Sequence, residues 1–300
     1  HNPDDLLYGT VKPDSDDAIE LPGVTSRAVD LRERDAVMDL VDATRPDQIY
    51  HLAAQAAVGA SFSDPWDTLE TNIRSQLNIF EACMAHKIKP RVFVVSSGEI
   101  YAYANRDDRP TDETFLPQPT SPYSVSKVTQ EALGMQYFYS RQIPVVIARP
   151  FNQIGPGQRL GFVAPDFASQ IARIEAGLQK PLMRVGNLEA RRDFTDVRDV
   201  ARAQRLLMTH GVPGEIYNIA SGIARPIQQV LDILRGLSKT VIEVEPDPER
   251  MRPSRLPLVW GDSTKLRNLT GWQPLIPFEQ SLSEILDEYR HSFSKSNAPI

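Results

Sequence analysis

Apolar residues along this chain follow two rhythms. Residues 91–95 and 143–148 are short continuous apolar runs rich in β-branched side chains, the pattern of strands buried on both faces. Residues 31–44, 66–84, 121–139, 227–237 and 278–290 repeat apolar positions every three or four residues, which predicts amphipathic helices. Further strands are predicted within residues 5–10, from 48 to 51, at 215–219 and at 241–244. Between Asn152 and Glu215 the rhythm loosens, punctuated by Pro156, Pro165 and Pro181, and no further strand is predicted there. Residues 251–255 read as a loop and those after His291 as a polar tail. There is no internal repeat and no low-complexity block. Strands alternating with helices predict an α/β fold built on a parallel sheet.

Composition narrows the function classes. Three hundred residues, 41% of them hydrophobic, can bury a sizeable core in one or two domains. A net charge of −6 without a basic stripe sets nucleic acid aside as a partner. The apolar runs are too short to cross a bilayer, so no membrane role is expected. The single cysteine, Cys83, allows no disulfide within the chain, reads as a buried thiol and fits a reducing cytoplasm. The five histidines lack metal-ligand spacing, so no metal is expected. His51, at a strand end, reads equally well as a lining of a cofactor cleft or as a hydrogen-bonded core histidine.

The chemistry concentrates around Tyr123-Ser124-Val125-Ser126-Lys127. A tyrosine and a lysine four apart share one face of a helix, one turn from each other. A free phenol titrates near about 10 and is a poor proton donor at neutral pH, but an adjacent ammonium lowers that value. Such a pair can move a proton at a carbonyl or alcohol carbon. The strand at 91–95 runs into Ser96-Ser97-Gly98-Glu99-Ile100-Tyr101, and the strand at 143–148 into Arg149-Pro150-Phe151-Asn152. In open α/β sheets ligands bind beyond the carboxyl ends of strands, so Ser97, Glu99, Tyr123 and Lys127 are the candidate catalytic residues. Spacing alone is weak evidence, since tyrosine and lysine fall four apart in many helices by chance. The flanking strands raise its weight.

These pieces, together with His51-Leu52-Ala53-Ala54-Gln55 and Arg192-Asp193-Phe194-Thr195-Asp196-Val197-Arg198-Asp199, resemble the extended short-chain dehydrogenase/reductases that act on nucleotide sugars. Order and spacing agree across nearly the whole chain. Phe151-Asn152-Gln153-Ile154-Gly155-Pro156-Gly157-Gln158 and Gly186-Asn187-Leu188-Glu189-Ala190 are similar to the branch that handles GDP-mannose derivatives, 4-keto reductases and 4,6-dehydratases alike. The resemblance implies a Rossmann-like doubly wound parallel sheet with a smaller C-terminal α/β substrate domain. It places a dinucleotide-binding domain at residues 1–152 and 196–224, a nucleotide-sugar domain at 153–195 and 225–291, and a tail at 292–300.

The resemblance also implies roles. Tyr123 is the general acid at the sugar 4-oxygen, Lys127 tunes it and meets the nicotinamide ribose, and Ser97 holds the 4-oxygen. Glu99 stands where dehydratases keep the base that removes a proton from sugar carbon 5, and it reads equally as a carboxylate that orients substrate. Asp30 and Leu31 match the adenine contact, and Leu52, Ala53, Ala54 and Gln55 would line the pyrophosphate and ribose of NADP or NAD. Lys12 at the end of the first strand favours NADP if it meets a 2′-phosphate, and a mobile surface lysine is the equal alternative. Asn152, Asn187, Arg192 and Arg252 match contacts to a GDP-sugar, with arginine suited to a diphosphate. Arg255 departs from the glutamate common in relatives and puts the guanosine ribose contact in doubt. Two long helices, at 66–84 and 121–139, imply a homodimer. The family opens with a strand, a glycine-rich turn and a helix that cradle the pyrophosphate, and none of these is found here. Gly155–Gly161 has the wrong spacing and position for that turn. The expectation is that roughly 25 residues precede His1 in the native protein, from the usual length of a strand–helix unit. A third reading, a non-catalytic nucleotide-sugar binding protein on the same fold, draws on that gap and is opposed by the intact Ser97, Tyr123 and Lys127.

Overall fold

The computed structural model describes residues 5–13, 21–101, 109–251 and 258–295. The chain begins with strands β1 (Leu7–Val11) and β2 (Val24–Ala28), helix α1 (Arg34–Thr44), strand β3 (Gln48–His51), and helices α2 (Val58–Ser63) and α3 (Pro65–Ala85). Strand β4 (Arg91–Val95) leads through a 3-10 turn, Gly98–Tyr101, to α4 (Pro122–Arg141), β5 (Val145–Pro150) and β6 (Asn152–Ile154). Next come α5 (Val163–Glu175), β7 (Leu182–Val185), β8 (Arg191–Asp196), α6 (Val197–His210) and β9 (Ile216–Ile219). The chain closes with β10 (Ala224–Pro226), α7 (Ile227–Gly236), β11 (Glu243–Pro246), β12 (Leu258–Val259), α8 (Thr264–Thr270) and α9 (Phe278–Lys295).

The alternation predicted from sequence is present, and the strands of the four-stranded sheet run in the order β3-β4-β5-β9. β3 and β4 are parallel in register Gln48 to Arg91. β1 and β2 make a separate parallel pair, and a second four-stranded path, β10-β8-β12 with β6 also on β8, lies in the later half.

Three expectations need correction. The stretch after Asn152 is not irregular: it holds β6, α5, β7, β8 and α6. Pro165 read as punctuation, yet it sits in the first turn of α5, where a missing N–H leaves no bond unmade. The strand expected at 241–244 lies two residues later, as β11. The tail expected after His291 is helical to Lys295, with Phe293 packed against the second core. Helices α2 and α8 carried too short an apolar pattern to be predicted.

The chain divides into two compact units. The first takes His1–Ser96, Thr120–Ile147 and Val212–Glu215; the second takes Ser97–Pro119, Ala148–Gly211 and Ile216–Ile300. In the first, α3 and α4 pack together, with the Phe80 and Tyr137 rings stacked at 4.5 Å and Gln76 Nε2 donating to the Gln130 carbonyl at 2.7 Å. α4 presses closely on the sheet, because a Cβ at Gly134 would lie 3.2 Å from Val145 Cγ1. In the second, α5, α7 and α9 bury Phe167, Ile171, Leu231, Leu282 and Ile285 around Met183 and Phe194. No helix of the described residues is long and apolar enough to cross a membrane.

Candidate functional site

Local sequence sets where α4 begins, and that in turn sets Tyr123 and Lys127. Ser121 is the N-cap, its Oγ accepting from Ser124 N at 3.0 Å, while Ser124 Oγ accepts from Ser121 N at 3.0 Å. This reciprocal box, with Pro122 entering the first turn, starts the helix at a fixed residue. Tyr123 then stands in the first turn, and Lys127 follows one turn on. Both are buried, at 8% and 4% exposure. Lys127 Nζ donates to the Val95 carbonyl at 2.9 Å, at the end of β4, and lies 5.8 Å from the centre of the Tyr123 ring. Burial pulls the Lys127 ammonium down from 10.5 to about 8, with Glu131 opposing the shift.

A buried amide network surrounds this pair. Asn72 Oδ1 accepts from Gln55 N at 2.7 Å, and Asn72 Nδ2 donates to the Gln55 carbonyl at 3.2 Å and to Ser126 Oγ at 2.8 Å. Ser126 Oγ donates to the Tyr123 carbonyl at 2.7 Å. Gln130 Nε2 donates to the Asn72 carbonyl at 2.9 Å and stands 3.3 Å from His51 Nε2. Burial, and then the Lys127 charge, push His51 down to about 3. Neutral imidazole with Nε2 as acceptor satisfies that geometry, so His51 is the hydrogen-bonded core histidine of the two readings. Asn72 and Gln130 were missed from sequence; they lie on helix faces that the apolar pattern marks as buried, and a polar residue there was the available signal.

The other residues expected at the cofactor lie in the same unit. Asp30 is gripped by Arg32, through Nε at 3.0 Å and Nη2 at 2.6 Å, which holds its carboxyl below the usual range. Leu31 offers its carbonyl to Asn78 Nδ2 at 2.9 Å. Leu52 and Ala53 are exposed, and Ala54 and Gln55 are half-buried. Gln55 Oε1 is buried with no hydrogen-bond partner, and the alanines put no bulk over the strand end. A small-residue strand end, an orphaned buried amide oxygen and a buried ammonium fit the polar groups of a dinucleotide.

Ser97, Glu99, Asn152, Asn187 and Arg192 belong to the second unit. Ser97 Oγ accepts from Glu99 N at 3.2 Å, so the turn after β4 carries both side chains as one piece. That turn is fixed from below by the Phe151 ring, since a Cβ on Gly98 would come within 2.9 Å of it. Glu99 is half-buried; burial pushes its carboxyl up, and Arg192 acts against that push. Along β8, side chains alternate. Arg192 and Phe194 line a cavity, while Asp193 turns the other way and accepts from Ser221 N, Gly222 N and Gly261 N at 2.8, 2.9 and 3.2 Å. Arg191 is exposed, whereas Arg192 is half-buried and lines the cavity.

The cavity, about 670 Å³, lies between β6, β8 and the start of α5. Asn152 and Arg192 line it, and Asn187, whose Oδ1 accepts from Glu189 N at 2.9 Å, lies on the β7–β8 loop. Sequence reasoning missed Asp166, Asp247 and Arg250, which also line it. Arg252 and Arg255 lie outside the described residues. Among the described residues no group of histidine, cysteine or carboxylate side chains could hold a metal ion.

Against known proteins, residues 16–285 match the family model described as GDP-mannose 4,6 dehydratase. The chain is 38% identical over 260 residues to GDP-6-deoxy-D-mannose reductase of Pseudomonas aeruginosa, covering 87% of this chain and 85% of that protein. It is 27% identical to GDP-mannose 4,6 dehydratase 2 of Arabidopsis thaliana, over 86% of this chain and 70% of that one. Among solved structures, RMD from Pseudomonas aeruginosa complexed with NADPH superimposes with a TM-score of 0.84 at 35% identity, covering 92% of each chain.

Proposed function

Because the chain belongs to the GDP-mannose 4,6-dehydratase family, within the extended short-chain dehydrogenase/reductases, we propose that it reduces the 4-keto group of GDP-4-keto-6-deoxy-D-mannose to give GDP-D-rhamnose. The observation that carries this reading is the buried Tyr123–Lys127 pair on α4, in a chain 38% identical to a GDP-6-deoxy-D-mannose reductase. The cofactor, NADPH or NADH, supplies hydride when bound. Asp30, Leu31, Leu52, Ala53, Ala54, Gln55 and Lys127 are the residues that would hold it.

The phenol of Tyr123 gives its proton to the sugar 4-oxygen. The Lys127 ammonium stabilises the resulting phenolate and keeps Tyr123 a usable acid near neutral pH. Ser97 Oγ hydrogen-bonds the same oxygen and orients the carbonyl. Arg192 and Asn152 bind the diphosphate, where a guanidinium can meet two oxygens at once. Glu99 orients substrate in this reading. We assign the first compact unit to the cofactor and the second to the nucleotide sugar, and we propose a cytoplasmic homodimer.

A second reading, GDP-mannose 4,6-dehydratase, is favoured by Glu99, a carboxyl raised by burial and placed two residues beyond Ser97. In that reaction Glu99 takes the proton from sugar carbon 5.

The test follows NADPH absorbance with GDP-4-keto-6-deoxy-D-mannose. Oxidation is expected in the wild type, with a loss of about 10²- to 10⁴-fold in Tyr123→Phe. Folded wild type that binds NADPH and leaves it unoxidised sinks the reductase reading. Conversion of GDP-mannose to the keto sugar without net cofactor use, abolished in Glu99→Gln, puts the dehydratase in its place.

A further inference from the structure

Among the described residues that line the cavity, Gln158 alone keeps a buried side-chain atom without a hydrogen-bond partner. Its Nε2 donates to the Gln153 carbonyl at 2.9 Å. A carbonyl only accepts, so the amide cannot be turned over, and Oε1 is the atom left unpaired. The loop that carries it, residues 155–162, is held at several points. Gln158 N donates to the Gly155 carbonyl at 3.3 Å. From α9, Tyr289 Oη donates to the Gln158 carbonyl at 3.3 Å, and Glu288 Oε2 accepts from Gly157 N at 2.7 Å. Gly157 has a φ of 82° with open space where a Cβ would stand, so glycine serves the turn there and not a close approach. Backbone and amide are both fixed before a ligand arrives. A buried acceptor without a donor is costly, and a ligand that brings the donor recovers that cost.

We propose that Gln158 determines substrate specificity by accepting a hydrogen bond from a hydroxyl next to the diphosphate, on the ribose or on the hexose; this rests on the reading of the cavity as a nucleotide-sugar site. The amide is tied to the residue after Asn152 on β6, and Asn152 is where that reading seats the diphosphate. An ionised diphosphate has no hydrogen to give, so it is not the partner of Oε1. The groups bonded to its two ends are a ribose and a hexose, and both present hydroxyl donors. Gln158 therefore favours a ligand with a hydroxyl at that point. A deoxy analogue leaves the oxygen unpaired, which is how a site built to bond a hydroxyl rejects the analogue without it. An amide suits this place better than a carboxylate, which would repel the diphosphate and could not donate to the Gln153 carbonyl.

The test is calorimetric titration of the full chain, wild type and Gln158→Met, with GDP, 2′-deoxy-GDP, 3′-deoxy-GDP and GDP-mannose. Methionine keeps the length of the side chain and removes both amide functions. With the hydroxyl on the ribose, Gln158→Met should bind GDP about 10- to 100-fold more weakly than wild type. Wild type should lose a similar factor on one of the deoxy ligands, which the variant should not distinguish from GDP. With the hydroxyl on the hexose, the two proteins should bind GDP alike, and the variant should lose about 10- to 100-fold on GDP-mannose. Equal affinities of the two proteins for GDP and for GDP-mannose overturn the assignment. A loss that is the same for all four ligands also overturns it, because the variant then only loosens the loop. If Gln158→Met loses its thermal transition, wild type decides alone: equal affinity for GDP and both deoxy ligands, with GDP-mannose no tighter than GDP, overturns it. Wild type that binds neither GDP nor GDP-mannose is a different failure, and it removes the nucleotide-sugar reading itself.

Discussion

Lys127 occupies an unfavourable place for an ammonium, 4% exposed and hydrogen-bonded to the Val95 carbonyl. The same burial that lowers its titration to about 8 makes it useful, because a poorly solvated cation acts strongly on the phenol one turn away. His51 beside it stays neutral down to about pH 3 and adds no competing charge. Below about pH 8 Lys127 is the cation that supports proton delivery by the phenol; above it the cation is lost. The rate of reduction is therefore expected to fall above about pH 8, the limb belonging to the coupled pair. In Lys127→Met the limb should move toward the free phenol value of about 10, with a rate loss of about 10²-fold or more. An unmoved limb would separate Lys127 from the proton transfer. Stability runs the other way. The native pKa lies below the unfolded 10.5, so between about 8 and 10.5 the unfolded chain holds more protons and stability rises with pH. Below about 8 the burial penalty is fully present, on the order of 3 kcal/mol, so Lys127→Met should melt no lower than wild type at neutral pH.

At the scale of elements, the end of β5 and the start of β6 are held by one ring. Phe151 meets the space of two missing side chains: a Cβ on Gly98 would lie 2.9 Å from it, and a Cβ on Gly261 would overlap it and sit 2.6 Å from Ala220 Cβ. Tyr101 stacks on it at 6.2 Å and is tied to β9 by donating to Asn218 Oδ1 at 2.9 Å. Gly261→Ala must push the ring toward the turn that bears Ser97 and Glu99. It is expected to destabilise by about 1–3 kcal/mol, and Phe151→Leu in the same chain should recover part of the loss in a thermal melt. A Gly261→Ala melt equal to wild type would mean that the ring has room to move. Such packing was not legible in the sequence, since Gly98, Phe151 and Gly261 meet only after folding. The parts with a local cause were legible: α3 and α4 from apolar spacing, and the strand ends from their polar exits. Asn152, Asn187 and Arg192 were found because a motif carries them. Asp166, Asp247 and Arg250 were not, because α5 and the turn after β11 supply them from separate segments with no shared pattern. α6 was hidden for another reason. Its N-cap, Asp196, accepting from Arg198 N at 2.9 Å, lies inside a stretch read only as a site motif.

For the molecule as a whole, the exposed face of the α3–α4 pair calls for a partner. Trp66 is 69% exposed, Leu77 37%, Val125 42% and Tyr139 74%, all on helices whose opposite faces are already packed. Bulky apolar side chains gathered on two adjacent helices suit association. An antiparallel pair of such faces related by a two-fold axis buries each against the same residues of the other chain, the commonest closed arrangement. Light scattering after gel filtration should therefore give twice the 33.6 kDa chain mass at micromolar concentration. Leu77→Glu with Tyr139→Glu sets four carboxylates into that face per dimer. It should give a single-chain mass, with Tyr123 and Lys127 untouched, so GDP binding measured on the same sample should persist. A single-chain mass for the wild type, or a dimer that survives both charges, would place the contact elsewhere. Because α4 carries Tyr123 and Lys127 on the side packed into the protein, dimerisation here would also brace the helix that does the chemistry. The kcat of the paired-charge variant should then fall further than its GDP affinity.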